Sequence, residues 1–299
     1  MRRLKALIVL GRFHFVFGGL LLYFLGYLLA VSSGSPFAAD RFFWGYAILF
    51  FAHLSVSYSN DYFDAKGDRI SKPTLFSGGS GVLVRYPELA GTAKKIALSL
   101  IVLSFLAAVG FLSAYGFSFP LLLYVLIGNL CGWYYSAPPL RFSHRIWGNL
   151  VFALTVCILV PGFGNYIASE TISYEMRLFA IPLLVYGYAF TIGVQIPDIE
   201  ADRRNNKRNF ASIFGDKASY AAIAALCLLA TASMAAIPRL FDTGVNYRNI
   251  FFYSLIPLAA SSYSLVSKKR NTEARIIPMI LSVFLFAALC GLHLALAHL

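Results

Sequence analysis

Long stretches of this chain carry no charged side chain, and nothing else in the sequence constrains its fold as strongly. From Phe13 to Ser33 there is no Asp, Glu, Lys or Arg. An uncharged apolar run of about 20 residues is the length that crosses the hydrocarbon core of a bilayer as a helix. Similar runs recur along the chain, giving candidate spans near 13–33, 41–59, 95–115, 119–136, 146–168, 177–197, 217–237, 248–267 and 276–297. At 59% hydrophobic and 13% charged residues, the composition is not that of a soluble domain. The expectation is an all-α, polytopic membrane protein: nine transmembrane helices in one bundle, a single integral-membrane domain over residues 1–299. The first run continues to Gly34 without a small-residue cleavage site and reads as a retained helix.

Basic residues accumulate on the cytoplasmic side of a membrane protein. With nine spans, all of the 25 Lys and Arg except Arg41, Arg177, Arg239 and Arg248 fall on the side of the N-terminus. On the opposite face those four are balanced by Asp40, Glu170, Glu175 and Asp242. This predicts a cell-membrane protein with its N-terminus in the cytoplasm and its C-terminus outside. The net charge of +12 then belongs to one face, where topology and anionic headgroups account for it without a nucleic-acid partner. No obligate protein partner is evident. The four cysteines, Cys131, Cys157, Cys227 and Cys290, lie inside spans without paired spacing and read as small core residues. Among the five histidines no ligand spacing occurs; His53, two turns before Asn60 on one helix, faces either the interior cavity or a neighbouring helix.

Against this apolar background two acidic clusters stand out. One is Asn60-Asp61-x-x-Asp64-x-x-x-Asp68, the other Asp198-x-x-x-Asp202, and together they hold five of only 13 acids. Residues three, four and seven apart share a helical face, so the carboxylates of each cluster are expected to converge. Converging carboxylates repel one another unless a cation neutralises them, and all-oxygen donors suit Mg²⁺, which binds through a few carboxylates plus substrate phosphates. Both clusters sit at the cytoplasmic ends of spans. Asp61 to Asp198 and Asp64 to Asp202 are nearly the same distance apart, which allows an internal duplication (about 1–136 and 137–299) that brings the clusters face to face. A diphosphate bridged by metal ions would fit between them.

Asn60-Asp61-Tyr62-Phe63-Asp64-Ala65-Lys66-Gly67-Asp68 resembles the first signature of the UbiA superfamily of intramembrane prenyltransferases. Asp198-Ile199-Glu200-Ala201-Asp202, followed by Asn206-Lys207-Arg208, resembles the second. Tyr134-Tyr135-Ser136-Ala137-Pro138-Pro139-Leu140-Arg141 is similar to a third recurrent segment. Many relatives carry Gly where Asn206 precedes the Lys-Arg pair. The resemblance implies a helical bundle with a lateral, membrane-facing cavity and a Mg²⁺-dependent transfer of an isoprenyl group from a polyprenyl diphosphate, such as geranylgeranyl diphosphate, after ionisation of the allylic C–O bond. Asp61, Asp64, Asp198 and Asp202 are then the expected catalytic metal ligands, with Asn60 and Asp68 completing or orienting the shell. Lys72, Arg141 and Lys207 are expected to clamp the diphosphate, and Arg12, Lys66, Arg69 and Arg203 are further candidates. Each of these cations also reads as a topology anchor. Tyr135 reads as a leaving-group or carbocation contact, or as an interfacial tyrosine.

The glycine-dense stretch 73–81 reads either as a loop closing over the diphosphate with its N–H groups or as a plain connector. It resembles the branch that prenylates 1,4-dihydroxy-2-naphthoate; geranylgeranylglyceryl phosphate is the other acceptor considered. Two further function classes fit a membrane bundle with acids. A cation or organic-ion transporter would place acids along a pathway, but none lies halfway through a span. A CDP-alcohol-type phosphotransferase would gather its acids into one tight motif.

Overall fold

In hydrocarbon, backbone that bonds to itself is the form that leaves no polar group unsatisfied, so each apolar run coils into a helix. The computed structural model describes residues 2–71, 73–74, 76, 78–116, 119–269 and 271–297. Among the described residues the elements are α1 (Arg2–Leu10), α2 (Phe13–Ser32), α3 (Ala39–Asp64), α4 (Val82–Arg85), α5 (Ala90–Tyr115), α6 (Phe119–Ser136), α7 (Trp147–Leu154), α8 (Val160–Ser169), α9 (Tyr174–Gln195), α10 (Ile199–Arg204), α11 (Phe210–Leu240), α12 (Tyr247–Val266) and α13 (Thr272–Leu296). A π-helical turn, Thr155–Leu159, joins α7 and α8 into one rod. The architecture is all-α, as expected.

Among the described residues eight helical stretches are long and apolar enough to cross a membrane, one fewer than the sequence led us to expect. The exception is α6, whose 18 residues include Asn129 and a Trp133-Tyr134-Tyr135-Ser136 end that dilutes its apolar character. It nevertheless runs from one end of the bundle to the other. Just before it, the Tyr115 hydroxyl donates to Asp40 Oδ2 at 2.6 Å, at the head of α3. At its own end, the Ser136 hydroxyl donates to Asp64 Oδ2 at 3.0 Å, at the foot of α3.

The bundle pairs α2 with α8, α3 with α5 and α6, and α11 with both α9 and α12, while α13 packs on α12 and α2. Small residues set the closest approach. At Gly26 of α2 an added methyl would strike the Pro161 carbonyl, and at Gly164 of α8 it would strike that of Tyr23, so these helices meet backbone to backbone. The fully buried Asn165 fastens the same seam, donating to Gly26 O at 2.9 Å and to Ser173 Oγ at 3.0 Å. On the far side, the Tyr186 and Thr231 hydroxyls converge on the Ser254 carbonyl at 3.3 and 3.1 Å, tying α9, α11 and α12 together. Phe43, Val102, Leu106 and Leu228 point outward and stay exposed, as lipid-facing side chains do.

Two local departures position the site. The second span continues as helix to Asp64, so Asp61 and Asp64 lie on the last turn of α3. Asp68 does not share that helical face; it follows on a 3₁₀ turn, Gly67–Arg69. Likewise Asp198 closes a 3₁₀ turn, Ile196–Asp198, with Pro197 in it, and Asp202 belongs to the separate short α10. At the N-terminus, α1 breaks at Gly11 and Arg12, where Arg12 takes φ +45° before α2 begins.

Candidate functional site

The ends of α3 and α9 carry the acidic clusters to the same end of the bundle, and named contacts hold them there. Asn205 Nδ2 donates to the Gly67 carbonyl at 3.0 Å, fastening the second cluster's loop onto the first's. Lys207 stands between them, its ammonium 3.9 Å from Asp64 Oδ2 and 3.6 Å from Asp202 Oδ1. A turn after α10 returns Lys207 to that place: Asn206 adopts φ +55° and the Lys207 amide donates to the Asp202 carbonyl at 2.9 Å. Asn tolerates this left-handed conformation better than most residues, so Asn206 can make the turn.

Each carboxylate has its own support. Asp61, 4% exposed, accepts from the Ser80 amide at 3.2 Å and from the Ser80 hydroxyl. Asp64 accepts from Ser136 at 3.0 Å and lies 3.3 Å from His144 Nε2. Asp202, 6% exposed, accepts from Asn209 Nδ2 at 2.6 Å. Asn209 in turn caps α11, its Oδ1 accepting from the Ser212 amide at 2.9 Å. Asp68 packs against Gly79, whose φ of +67° and missing side chain let the glycine-rich loop close on the carboxylate. Asp198 sits near Arg12, whose guanidinium also faces Asp61 and Asp68.

Two cations therefore serve five carboxylates: Arg12 faces Asp61, Asp68 and Asp198, while Lys207 faces Asp64, Asp202 and Asp68. The excess of negative charge shows in the groups outside the spans. Burial, reinforced by Asp64 and Asp61, pushes the Asp68 carboxyl up to about 7. Burial works to release the Lys207 proton, but Asp64 and Asp202 outweigh it and hold the ammonium above the ordinary lysine range. Among the described residues no three His, Cys, Asp or Glu side chains converge as a ready metal cluster. Lys207 and Ser80 occupy the carboxylates that would form one. Two observations still fit a hard divalent cation with an anionic ligand: the donors are oxygens in excess of positive charge, and Asn60 Oδ1 and Arg12 Nη2 are buried without a hydrogen-bond partner.

The other expected cations divide. Arg203 donates its Nε to the Ser212 carbonyl at 2.7 Å, a link that holds α10 to α11. Lys66, Arg69 and Arg141 are exposed at the rim, and among the described residues they form no ion pair. Lys72 lies outside the described residues. Tyr135 lines the cavity beneath the acids, near Lys207, with its ring 6.2 Å from that of Phe152.

Sequence reasoning missed His144, Ser80, Ser136, Asn209 and Asn205. Ser136 lies within the third motif, Ser80 within the glycine-dense stretch and His144 just after Arg141, so these three left a positional signal; Asn205 and Asn209 are small polar residues without a distinguishing pattern.

From the acids an apolar cavity of about 320 Å³ extends into the bundle, lined from α2, α3, α6, α7, the π turn, α8, α9 and α13. Arg12, Asn60 and Tyr135 stand in its wall near the acids; Phe163, Tyr186, Phe190 and Phe286 belong to its aromatic lining. The π turn puts Thr155, Val156, Cys157 and Leu159 into the same wall, where a regular helix would turn some of them away.

The UbiA prenyltransferase family model matches residues 19–296. The chain belongs to this family. It is therefore a multi-pass membrane protein. A UbiA homolog from Archaeoglobus fulgidus bound to GPP and Mg²⁺ has the same fold, with TM-score 0.69 and 18% identity over 95% of this chain and 99% of that one. The structure of a digeranylgeranylglyceryl phosphate synthase gives TM-score 0.65 at 19% identity, covering 96% of this chain and 99% of that one. A 1,4-dihydroxy-2-naphthoate octaprenyltransferase from Bacillus subtilis (strain 168) is 24% identical over 172 residues, which are 58% of this chain and 54% of that protein. That match spans about half of the relative's length.

Proposed function

We propose that this protein is a Mg²⁺-dependent prenyltransferase that moves an isoprenyl group from a polyprenyl diphosphate to a hydroxylated acceptor. The observation that carries this reading is the joining of two acidic loops around Lys207 at the polar end of a deep aromatic cavity. A molecule with one anionic end and a long apolar tail matches both parts. Support also comes from the Archaeoglobus homolog, which is bound to GPP and Mg²⁺.

Asp61, Asp64, Asp198 and Asp202 would hold the ion, with Asn60 and Asp68 beside them. Bound there, Mg²⁺ supplies the positive charge that neutralises the leaving diphosphate. The chain's own groups do the rest. Arg12, with a free N–H aimed into the site, and Lys207 bind phosphate oxygens, and their charge is preorganised where negative charge accumulates as the allylic C–O bond breaks. Lys66, Arg69 and Arg141 at the rim, with Lys72, attract the anion as it arrives. The Ser80 contact to Asp61 closes the glycine-rich loop beside the phosphates. Below, the rings of Tyr135, Phe152 and Phe190 turn their faces and edges to the cation and exclude water that would quench it.

For the acceptor, the Bacillus relative favours 1,4-dihydroxy-2-naphthoate. Geranylgeranylglyceryl phosphate is the second reading, favoured by the digeranylgeranylglyceryl phosphate synthase fold. We place the site on the cytoplasmic side, with the N-terminus inside and the C-terminus outside, because basic residues crowd that end. We also read the halves, about 1–136 and 137–299, as a duplicated unit. The Asn205-to-Gly67 bond joins residues 138 positions apart, the offset of the acidic clusters.

The purified protein in lipid, given labelled geranylgeranyl diphosphate, Mg²⁺ and each acceptor in turn, is expected to form one prenylated product. Mg²⁺-dependent diphosphate binding without transfer to either acceptor would overturn the reading.

A further inference from the structure

One polar side chain in the cavity has no part in the scheme above. His53 lies on α3, on the face that carries Asn60 two turns later, about 10 Å along the helix axis. Its ring lies against Gly19 of α2, where any larger residue would collide with the imidazole. It lines the cavity, and among the described residues nothing hydrogen-bonds to it. A polar group left unpartnered in an apolar wall is costly, so a partner that arrives with substrate is the economical explanation.

We propose that His53 receives the hydroxyl proton of the acceptor as the acceptor captures the prenyl carbon. This rests on the prenyl-transfer reading and goes beyond it by naming a base. The allylic C1–O bond breaks and its electron pair leaves with the diphosphate. The acceptor's nucleophilic atom, either the hydroxyl oxygen or a ring carbon conjugated to it, forms the new bond to C1. The hydroxyl proton passes to an imidazole nitrogen, and the imidazolium then hands it to the released diphosphate or to water. A neutral imidazole suits this place because it accepts a proton without first bringing a negative charge into the apolar cavity.

The geometry also says why no other lining group takes the task. The ionisable side chains in the cavity wall are Arg12 at the head of α2, Tyr124, Cys131 and Tyr135 on α6, Cys157 in the π turn and Tyr186 on α9; α13 contributes only apolar residues. At neutral pH guanidinium, phenol and thiol all carry their proton, whereas a neutral imidazole offers a free nitrogen lone pair. The acids of the site are engaged with Lys207, Arg12, Ser80, Ser136 and Asn209.

The test uses the full-length protein in lipid nanodiscs with geranylgeranyl diphosphate, Mg²⁺ and 1,4-dihydroxy-2-naphthoate or geranylgeranylglyceryl phosphate. His53→Gln keeps a polar side chain of similar size but cannot take the proton. Its kcat is expected to fall at least about 100-fold, as for loss of a general base. Its Kd for geranylgeranyl diphosphate should stay within threefold of wild type. In His53→Ala, added imidazole should restore kcat at least tenfold. A His53→Gln kcat within threefold of wild type would overturn the proposal, as would a fall in kcat matched by an equal loss of diphosphate affinity, which marks a merely structural role. Absence of transfer by the wild-type protein would instead overturn the prenyl-transfer reading, and the base with it.

Discussion

Lys207 is the residue on which the two acidic loops depend. Removing one partner of a buried ion pair leaves an uncompensated charge, at a typical cost of about 3–5 kcal/mol. Here both Asp64 and Asp202 lose their shared cation. Lys207→Met is therefore expected to lower the thermal midpoint in EDTA by several degrees and to regain much of the loss on adding Mg²⁺, while transfer falls at least about 100-fold; a calorimetric or fluorescence melt with and without the ion checks it. Ser80→Ala removes the hydroxyl contact to Asp61 but keeps the amide one, and should raise KM for the diphosphate severalfold with little change in melting, because one loop contact contributes only about 1 kcal/mol. At this scale the acids and Lys207 were legible in the sequence, since carboxylates are rare in an apolar chain. Ser80, Ser136 and Asn209 were not, because a lone small polar residue acquires meaning only when folding sets it beside a distant carboxylate. Arg203 shows the same limit: its charge was visible, but its bond to the Ser212 carbonyl was not.

Helices carry the site by ending in the right places. Helix α3 persists through Asp64 and then yields to a 3₁₀ turn, which turns Asp68 off the helical face and onto the Gly79 backbone. Apolar runs gave the helices away, but not the breaks, because a 3₁₀ or π turn needs no change in hydrophobicity. The same limit explains α6, where aromatic and polar residues near the site lower the apolar character of a helix that still traverses the bundle. The α2–α8 seam is where an element-scale change would cost most. Gly26→Ala places a methyl against the Pro161 carbonyl, and backbone cannot give way as a flexible side chain does. The expected outcome is a sharp loss of folded protein on size-exclusion in detergent, whereas Gly91→Ala, where an added methyl meets open space, should leave yield and melting unchanged.

The whole molecule joins a charged end to an apolar interior, and its orientation decides which compartment supplies the diphosphate. Single cysteines at Lys66 and at Asp242, in a background lacking the native cysteines, should react with an impermeant maleimide from opposite sides of a sealed vesicle, Lys66 from the cytoplasmic one. Labelling of both from the same side would contradict the orientation. Membrane character was legible from composition; cavity shape was not, because its lining comes from seven helices and a π turn. The central claim is that both acidic loops form one diphosphate site. It is tested most directly by transfer of labelled geranylgeranyl diphosphate to 1,4-dihydroxy-2-naphthoate or geranylgeranylglyceryl phosphate by wild type, Asp64→Asn and Asp202→Asn, each shown by melting to be folded. The account predicts product with wild type and Mg²⁺, none in EDTA, and turnover in each variant reduced at least about 1,000-fold, as for loss of a principal electrostatic group. Near-normal turnover in both folded variants would contradict it.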